Sequence, residues 1–389
     1  MRILLIPSSY APVLGGLQTV TCNLAQYFMA GGNQVNVLTN RYPRTLLFKE
    51  VVDHISVSRQ LFLWPDLDNV WRGRPDLYLA SFYYTPTTLL SLIGLVRDLR
   101  PQVINVHFPD GQTPFVLWLR RRFDFRLIVS LHGEDVLSWH RLMDQETAAL
   151  VTSKRQPKRY IRLRELFKEA DAVTTCSQYL LDKAVELEPN VATKGHVIHN
   201  GIDQARFQDQ TPNAHARPYI LAYGRLIYKK GFDLLLDAFG QIASERQDID
   251  LILAGIGEEG SRLEKQVQDC GLTGRVHFFG RAQPDEIVRL LNGSCFLVVP
   301  SRDEPFGIVA LEGLAAGKPI LATHVGGLPE IVSVPGNLLV EPTVEGLVNG
   351  LHSLLAQKPH WPAIGQNNRL RAEQFTWERA TTRYMEIYQ

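Results

Sequence analysis

The passage Tyr219-Ile220-Leu221-Ala222-Tyr223, followed by Gly224-Arg225-Leu226-Ile227-Tyr228-Lys229-Lys230-Gly231, decides the fold class. An uncharged apolar run of this length reads as a strand covered on both faces, as in a parallel sheet. Glycine then turns the chain, and apolar residues at helical spacing from Gly231 to Ile242 predict a helix. Strand, glycine turn and helix are how a doubly wound α/β domain begins. Toward the C-terminus the rhythm repeats, with strands expected at Leu251–Ala254, Val276–Phe279 and Phe296–Val299 and helices at Arg262–Cys270 and Ile287–Leu291. Toward the N-terminus it repeats again: Ile3–Ile6, Val35–Leu38, Val103–Val106, Leu127–Leu131, Ala172–Thr175 and His196–His199 as strands, Thr19–Ala30 as a helix.

Two Rossmann-like doubly wound domains are therefore expected, residues 1–208 and 219–372, joined by a polar linker at 209–218. Each binds ligands beyond the carboxyl ends of its strands, and two such domains facing one another share an interdomain cleft. Residues 373–389, with Phe375, Trp377, Tyr384 and Ile387, predict a final helix whose apolar stripe needs a docking surface.

Composition agrees with this count. At roughly 150 residues per domain, 389 residues make between two and three domains. With 45% hydrophobic and 21% charged residues, intrinsic disorder is excluded. The 41 Lys and Arg against 40 Asp and Glu leave +1, so no global field gathers nucleic acid and the charge logic must be local. Cys22, Cys176, Cys270 and Cys295 lie far apart with no Cys-x-x-Cys, which argues against a disulfide framework or structural zinc. They read as core thiols of a cytoplasmic protein. Ile3–Ile6 is too short for a signal-peptide core, and Thr88–Val96 is far shorter than the roughly 20 residues that span a bilayer, so no membrane crossing is expected.

Several motifs carry chemistry. Gly15-Gly16, between the first strand and its helix, lets an anion approach free backbone N–H groups; a plain glycine turn is the other reading. Gly255-Ile256-Gly257-Glu258-Glu259-Gly260 spells the dinucleotide fingerprint, and Arg281 after the next strand would suit a 2′-phosphate. Its place after the second strand of its half, with no acidic residue at the end of the following strand, counts against that reading. Arg225 and Lys230 stand five residues apart on one loop, where both reach a single polyanion unless they are merely solvated cations. Glu304 precedes a helix and Glu312 lies within it; a fully helical segment at about 1.5 Å per residue would separate them by roughly 12 Å. That is too far for a glycosidase pair and better suited to hydroxyls at two ends of an extended ligand, with the N–H groups around Gly307 and Ile308 taking an anion between them. His132-Gly133 ends a strand of the first half, where a histidine contacts a ligand or satisfies a backbone group. The basic run from Lys154 to Arg164 either attracts an acidic membrane surface or forms a solvated face.

In combination these features resemble the retaining glycosyltransferases of family 4. The likeness runs through Pro12 to Gly16, His132-Gly133, Ala170 to Val173 with Ser177, Asn200 to Asp203, Gly224-Arg225 with Lys230-Gly231, Glu304 to Glu312 as E-x7-E, and Val325 to Glu330. It implies the GT-B architecture, with the last helix packing back on the N-terminal domain and the donor held mainly by the C-terminal one. Arg225 and Lys230 would then hold the donor pyrophosphate, Glu312 the ribose hydroxyls and Glu304 the transferred sugar. Gly16 and the Gly307, Ile308 and Val309 backbone would complete the phosphate site, Phe306, Gly257 and Arg281 would also belong to the donor site, with the Gly257 turn near the nucleotide, and His132 would bond the sugar. The resemblance implies no metal and no cofactor, with a nucleotide diphosphosugar as substrate, a sugar, lipid-linked or small-molecule acceptor, no nucleic acid, and peripheral contact with an acidic membrane as an option. Gly313, where alanine is common, and Glu134 beside His132 depart from the pattern. Two competing functions are an NADP-dependent oxidoreductase built on Gly255–Gly260 and a nucleotide-sugar-binding module without turnover.

Overall fold

The computed structural model describes residues 1–12, 16–71, 73–140, 158–208 and 211–389. They form two compact units: residues 1–199 with 380–389, and residues 200–379. The boundary falls ahead of the 209–218 segment because the chain from residue 200 on is already tied to the second unit. The Ile202 N–H donates to the Phe375 carbonyl at 2.8 Å, and a Cβ at Gly201 would strike the Trp377 backbone nitrogen at 2.4 Å.

The N-terminal unit is built on β1 (Arg2–Pro7), β2 (Gln34–Asn40), β3 (Lys49–Val52), β4 (Ile55–Gln60), β5 (Val103–His107), β6 (Arg126–Leu131), β7 (Ala172–Thr175) and β8 (Gly195–Val197). Their order is β3-β4-β2-β1-β5-β6-β7-β8, parallel except for the β3–β4 hairpin. The switch point lies between β1 and β5, whose register runs from Ile3 opposite Val103 to Pro7 opposite His107. The C-terminal unit has β9 (Tyr219–Tyr223), β10 (Asp250–Ala254), β11 (Val276–Gly280), β12 (Leu297–Val299), β13 (Ile320–Thr323) and β14 (Leu338–Val340), all parallel, in the order β11-β10-β9-β12-β13-β14. Here the switch point separates β9 from β12. Strands β9 and β10 are buried at every position, which is why their sequence shows continuous rather than alternating apolar character. The helix Phe232–Ala243 covers them with Phe232, Leu235, Leu236, Phe239 and Ile242, spaced to form one face.

The final helix, Trp377–Tyr388, ends in the N-terminal unit. There Asn105 on β5 donates to the Tyr388 hydroxyl at 2.7 Å, and the Tyr384 hydroxyl lies 3.3 Å from that of Thr174 on β7 and 3.4 Å from that of Ser130 on β6. Burial removes the water these groups would otherwise bond; Ser130 bonds Asn105 Oδ1 at 2.9 Å and lies 2.7 Å from the Thr174 hydroxyl, and the helix adds the Tyr388 hydroxyl as acceptor for the Asn105 amide.

Three expectations need correcting. Thr88–Val96 is not an isolated apolar stretch: it belongs to a helix of 25 residues, Pro75–Leu99, long and apolar enough by length and composition to cross a membrane. Its buried stripe is Ser81, Thr85, Thr88, Leu92 and Val96, while Leu79, Phe82, Tyr83 and Leu90 are exposed. Thr85 and Thr88 donate to the carbonyls of Leu63 (2.5 Å) and Leu61 (3.1 Å), so hydroxyls as well as the buried Leu92 and Val96 fasten this helix, partly to the segment that follows β4. The cysteines are free thiols, but only Cys176 is a core residue; Cys270, at the end of an amphipathic helix, is exposed. Strands β13 and β14 extend the second sheet beyond the last strand read from the sequence.

Candidate active site

The loop from Gly224 to Gly231 leaves the carboxyl end of β9 at the switch point of the second unit, and three contacts shape it. The Leu226 N–H donates to the Ile256 carbonyl at 3.0 Å, and the Glu259 N–H to the Leu226 carbonyl at 2.9 Å. Gly255, at φ +145°, has its α-carbon so close to the Gly224 carbonyl that a Cβ would sit 1.8 Å from the oxygen; one at Gly257 would sit 2.2 Å from the Leu226 oxygen. The glycines of the 255–260 turn thus serve backbone-to-backbone approach against the Arg225 loop. They need no dinucleotide to explain them, and Arg281 is an exposed side chain beyond β11. The third contact is Arg302, which forks onto Asp233 at 2.7 and 2.8 Å, donates to the Tyr228 carbonyl at 2.9 Å and lies 4.1 Å from the Tyr228 ring centroid. It joins the loops that follow β9 and β12.

These contacts bring Lys230 and Glu304 together. Their side chains form an ion pair, with 17% and 10% of their area exposed, and the Ser301 hydroxyl reaches the same carboxylate oxygen at 3.5 Å. The Glu304 backbone is held by the Val325–Glu330 segment: the Gly327 N–H donates to its carbonyl at 2.9 Å, and Gly326, at φ +57°, approaches that oxygen where a Cβ would be 2.0 Å away. Gly307 is left-handed at φ +105° and caps the helix Ile308–Ala315, whose first N–H groups have no partner within the helix. Phe306 is buried beside them. Glu312, in the same helix, accepts from the Tyr223 hydroxyl at 2.5 Å. Burial raises the Glu312 carboxyl to about 6, against the lowering pull of the Tyr223 hydrogen bond and of Arg206. Arg225 is exposed and, among the described residues, has no ion pair.

One unit therefore collects Arg225, Lys230, Glu304, Phe306, Gly307, Ile308, Val309 and Glu312 at the carboxyl ends of β9 and β12. Tyr223, Arg206 and the Arg302–Asp233 pair were not anticipated. Tyr223 had a legible signal as the last residue of a buried strand, before the loop glycine. Arg302 and Asp233 had none, because 69 residues separate them and only the β9–β12 neighbourhood brings them together.

In the N-terminal unit His132 follows β6. Its ring lies 5.3 Å from that of His107, which ends the neighbouring strand β5, and His107 Nδ1 is 3.1 Å from His132 Nε2. Burial lowers His132 to about 4; His107 is held well below the ordinary histidine value, by burial and then by His132. Both rings are neutral at physiological pH. Asp135 accepts the N–H groups of His132 (3.0 Å), Gly133 (2.8 Å) and Val136 (3.2 Å), while its burial raises it to about 6. Gly16 opens the helix Gly16–Ala30, and Gly15 lies outside the described residues. Of the basic run, Lys154 to Pro157 also lie outside them. Lys158 and Arg162 pair with Asp66 at 3.1 and 2.9 Å, Arg159 with Asp110 at 3.7 Å and Arg164 with Glu188 at 3.2 Å, so this charge is engaged within the unit.

Solved structures share this organisation. Sucrose-phosphate synthase from Thermosynechococcus elongatus superposes with a TM-score of 0.77 at 22% identity, over 100% of this chain and 98% of its own. The Anabaena protein HepE, solved in complex with UDP-glucose, gives 0.71 at 19% identity over 99% and 98%. The fold is that of the GT-B glycosyltransferases. An uncharacterised glycosyltransferase of Methanocaldococcus jannaschii is 26% identical over 99% of this chain and 97% of its own length. Residues 14–206 match the family described as Glycosyltransferase Family 4, and residues 203–371 match Glycosyl transferases group 1. The chain belongs to glycosyltransferase family 4, and this displaces the NADP-dependent oxidoreductase built on Gly255–Gly260.

Proposed function

We propose that this glycosyltransferase moves a sugar from a nucleotide diphosphosugar to a hydroxyl acceptor with retention at the anomeric carbon. The observation that carries the reading is the meeting of Lys230 and Glu304 beside the unpaired amides at Gly307–Val309, with Arg225 unpaired on the same loop as Lys230. Cations and amides suit a diphosphate, and a carboxylate suits sugar hydroxyls. The UDP-glucose bound to HepE supports the same ligand class.

In this reading Arg225, Lys230 and the helix amides take the two phosphates, Glu312 accepts from the ribose hydroxyls and Glu304 from those of the sugar. The bond from the anomeric carbon to the leaving phosphate oxygen breaks, and its electron pair passes to that oxygen. Fixed positive charge stabilises the oxygen as it leaves without a metal. The acceptor oxygen attacks from the same face, and its proton passes to the departing phosphate. His132, neutral, hydrogen-bonds the sugar. The acceptor is a sugar, a lipid-linked sugar or a small alcohol.

Incubation with a panel of UDP-, GDP- and ADP-sugars tests this. Release of free nucleotide that accelerates with an acceptor, with the product keeping the donor's anomeric configuration, is expected. Saturable donor binding without release would make the protein a binding module, and an inverted product would overturn the front-face step.

A further inference from the structure

Four arginines from separate parts of the N-terminal unit line one cavity of about 730 Å3. Arg2 opens β1, Arg97 stands in the last turn of the helix Pro75–Leu99, Arg100 caps that helix and Arg126 opens β6. Asp124 is the single carboxylate of the lining, and none of the four arginines has an ion pair among the described residues. The framework between them is fixed. Arg2 Nε donates to the Arg100 carbonyl at 2.7 Å, the Arg2 N–H donates to the Gln102 side-chain Oε1 and the Gln102 N–H to the Arg2 carbonyl, both at 2.9 Å, and the Arg126 N–H donates to the Gln102 carbonyl at 2.9 Å.

Exposed arginines are ordinarily solvated, which describes Arg2, Arg97 and Arg100. It does not describe Arg126, whose Nε is buried with no hydrogen-bond partner. A buried donor without a partner is costly, and guanidinium groups gathered around one cavity repel each other. An anion in the cavity relieves that repulsion. The positive field also reaches His196, which is lowered by burial and then by Arg383 and Arg126.

We propose that this cavity binds a phosphate-bearing ligand through the guanidinium groups of Arg2, Arg97, Arg100 and Arg126. Its volume lies within the range of small-molecule sites and exceeds what a bare phosphate needs, so the phosphate is carried on a small organic molecule or a lipid headgroup. The cavity lies at the amino ends of β1, β5 and β6, opposite to the ends that carry His107 and His132. It shares no residue with the site proposed for glycosyl transfer and does not depend on the function proposed there.

Titration calorimetry of the full chain with inorganic pyrophosphate tests this at low ionic strength, where charge pairing is least screened. Wild type is compared with Arg97→Glu, Arg126→Gln and, to remove a cation of the proposed donor site, Arg225→Ala. Saturable binding that survives Arg225→Ala and weakens by about tenfold or more in Arg97→Glu is expected. Arg97 is exposed, so that variant keeps the test valid if Arg126→Gln folds poorly. Flotation with phosphatidylcholine vesicles, with and without phosphatidic acid, distinguishes the sources. Flotation that needs phosphatidic acid and is lost in Arg97→Glu assigns a headgroup; pyrophosphate binding without flotation assigns a soluble phosphate ester. Pyrophosphate affinity unchanged in Arg97→Glu, or abolished by Arg225→Ala alone, overturns the proposal.

Discussion

Both units end their central strands in polar groups, but their charges are held differently. Beyond β9 and β12 stand ionic groups: Arg225, the Lys230–Glu304 pair and Glu312. Beyond β5 and β6 stand His107 and His132, held neutral by burial, and Asp135, whose oxygens are occupied by backbone N–H groups. One topology thus presents an ion pair and an unpaired guanidinium at one end, and at the other two neutral imidazoles beside a carboxylate whose oxygens are taken up by backbone N–H groups.

The contrast is broken most severely at Lys230. Lys230→Ala is expected to lower kcat by about 10²-fold or more, in line with roughly 2.7 to 4 kcal/mol of lost electrostatic stabilisation. It also strands a buried Glu304, at a stability cost of about 3 kcal/mol in urea unfolding. Arg225→Ala should match the rate loss while stability stays within about 0.5 kcal/mol, since its side chain is exposed and unpaired. Equal stability losses in the two variants would end the claim that their roles differ.

A smaller effect belongs to the neutral side. His132→Ala should reduce kcat by about tenfold, the scale of one uncharged hydrogen bond. With its pKa near 4, His132 should leave no inflection in the kcat/KM profile between about pH 5 and 8. A loss as large as that of Arg225→Ala would erase the distinction between the two ends.

The smallest effect sharpens it. Glu312 ionises near pH 6, above the ordinary glutamate value, so it is protonated below that pH and a stronger acceptor above it. Free-nucleotide affinity should therefore rise about threefold to tenfold from pH 5 to 7, and Glu312→Gln should flatten the curve. A rise that persists in the variant would move the titrating group elsewhere.

How much of this was legible depended on distance along the chain. Strands β7 and β9 have the bounds read from their apolar runs, and Arg225, Lys230, Glu304 and Glu312 were visible because each lies on a loop or helix that directly follows a strand. Strand β4 was hidden by its own chemistry. Arg59 is fully buried there, paired with Glu50 and donating to the Ala11 carbonyl at 2.5 Å, and an arginine interrupts the apolar pattern by which strands are found. The helix Pro75–Leu99 escaped because Ser81, Thr85 and Thr88 face inward while Leu79, Phe82, Tyr83 and Leu90 are exposed, which blurs the usual amphipathic stripe. The pairs Tyr223–Glu312 and His107–His132 depend on which strands are neighbours, and local spacing does not encode sheet order.

The helix Trp377–Tyr388 imposes an order on biosynthesis. The N-terminal unit leaves the ribosome first, and although Ser130 bonds Asn105 Oδ1 and Thr174 within it, the Asn105 amide N–H group still awaits the Tyr388 hydroxyl carried by residues 380–389. At typical elongation speeds the 180 intervening residues take on the order of ten seconds to make. Throughout that interval the nascent unit exposes the face that residues 380–389 later cover.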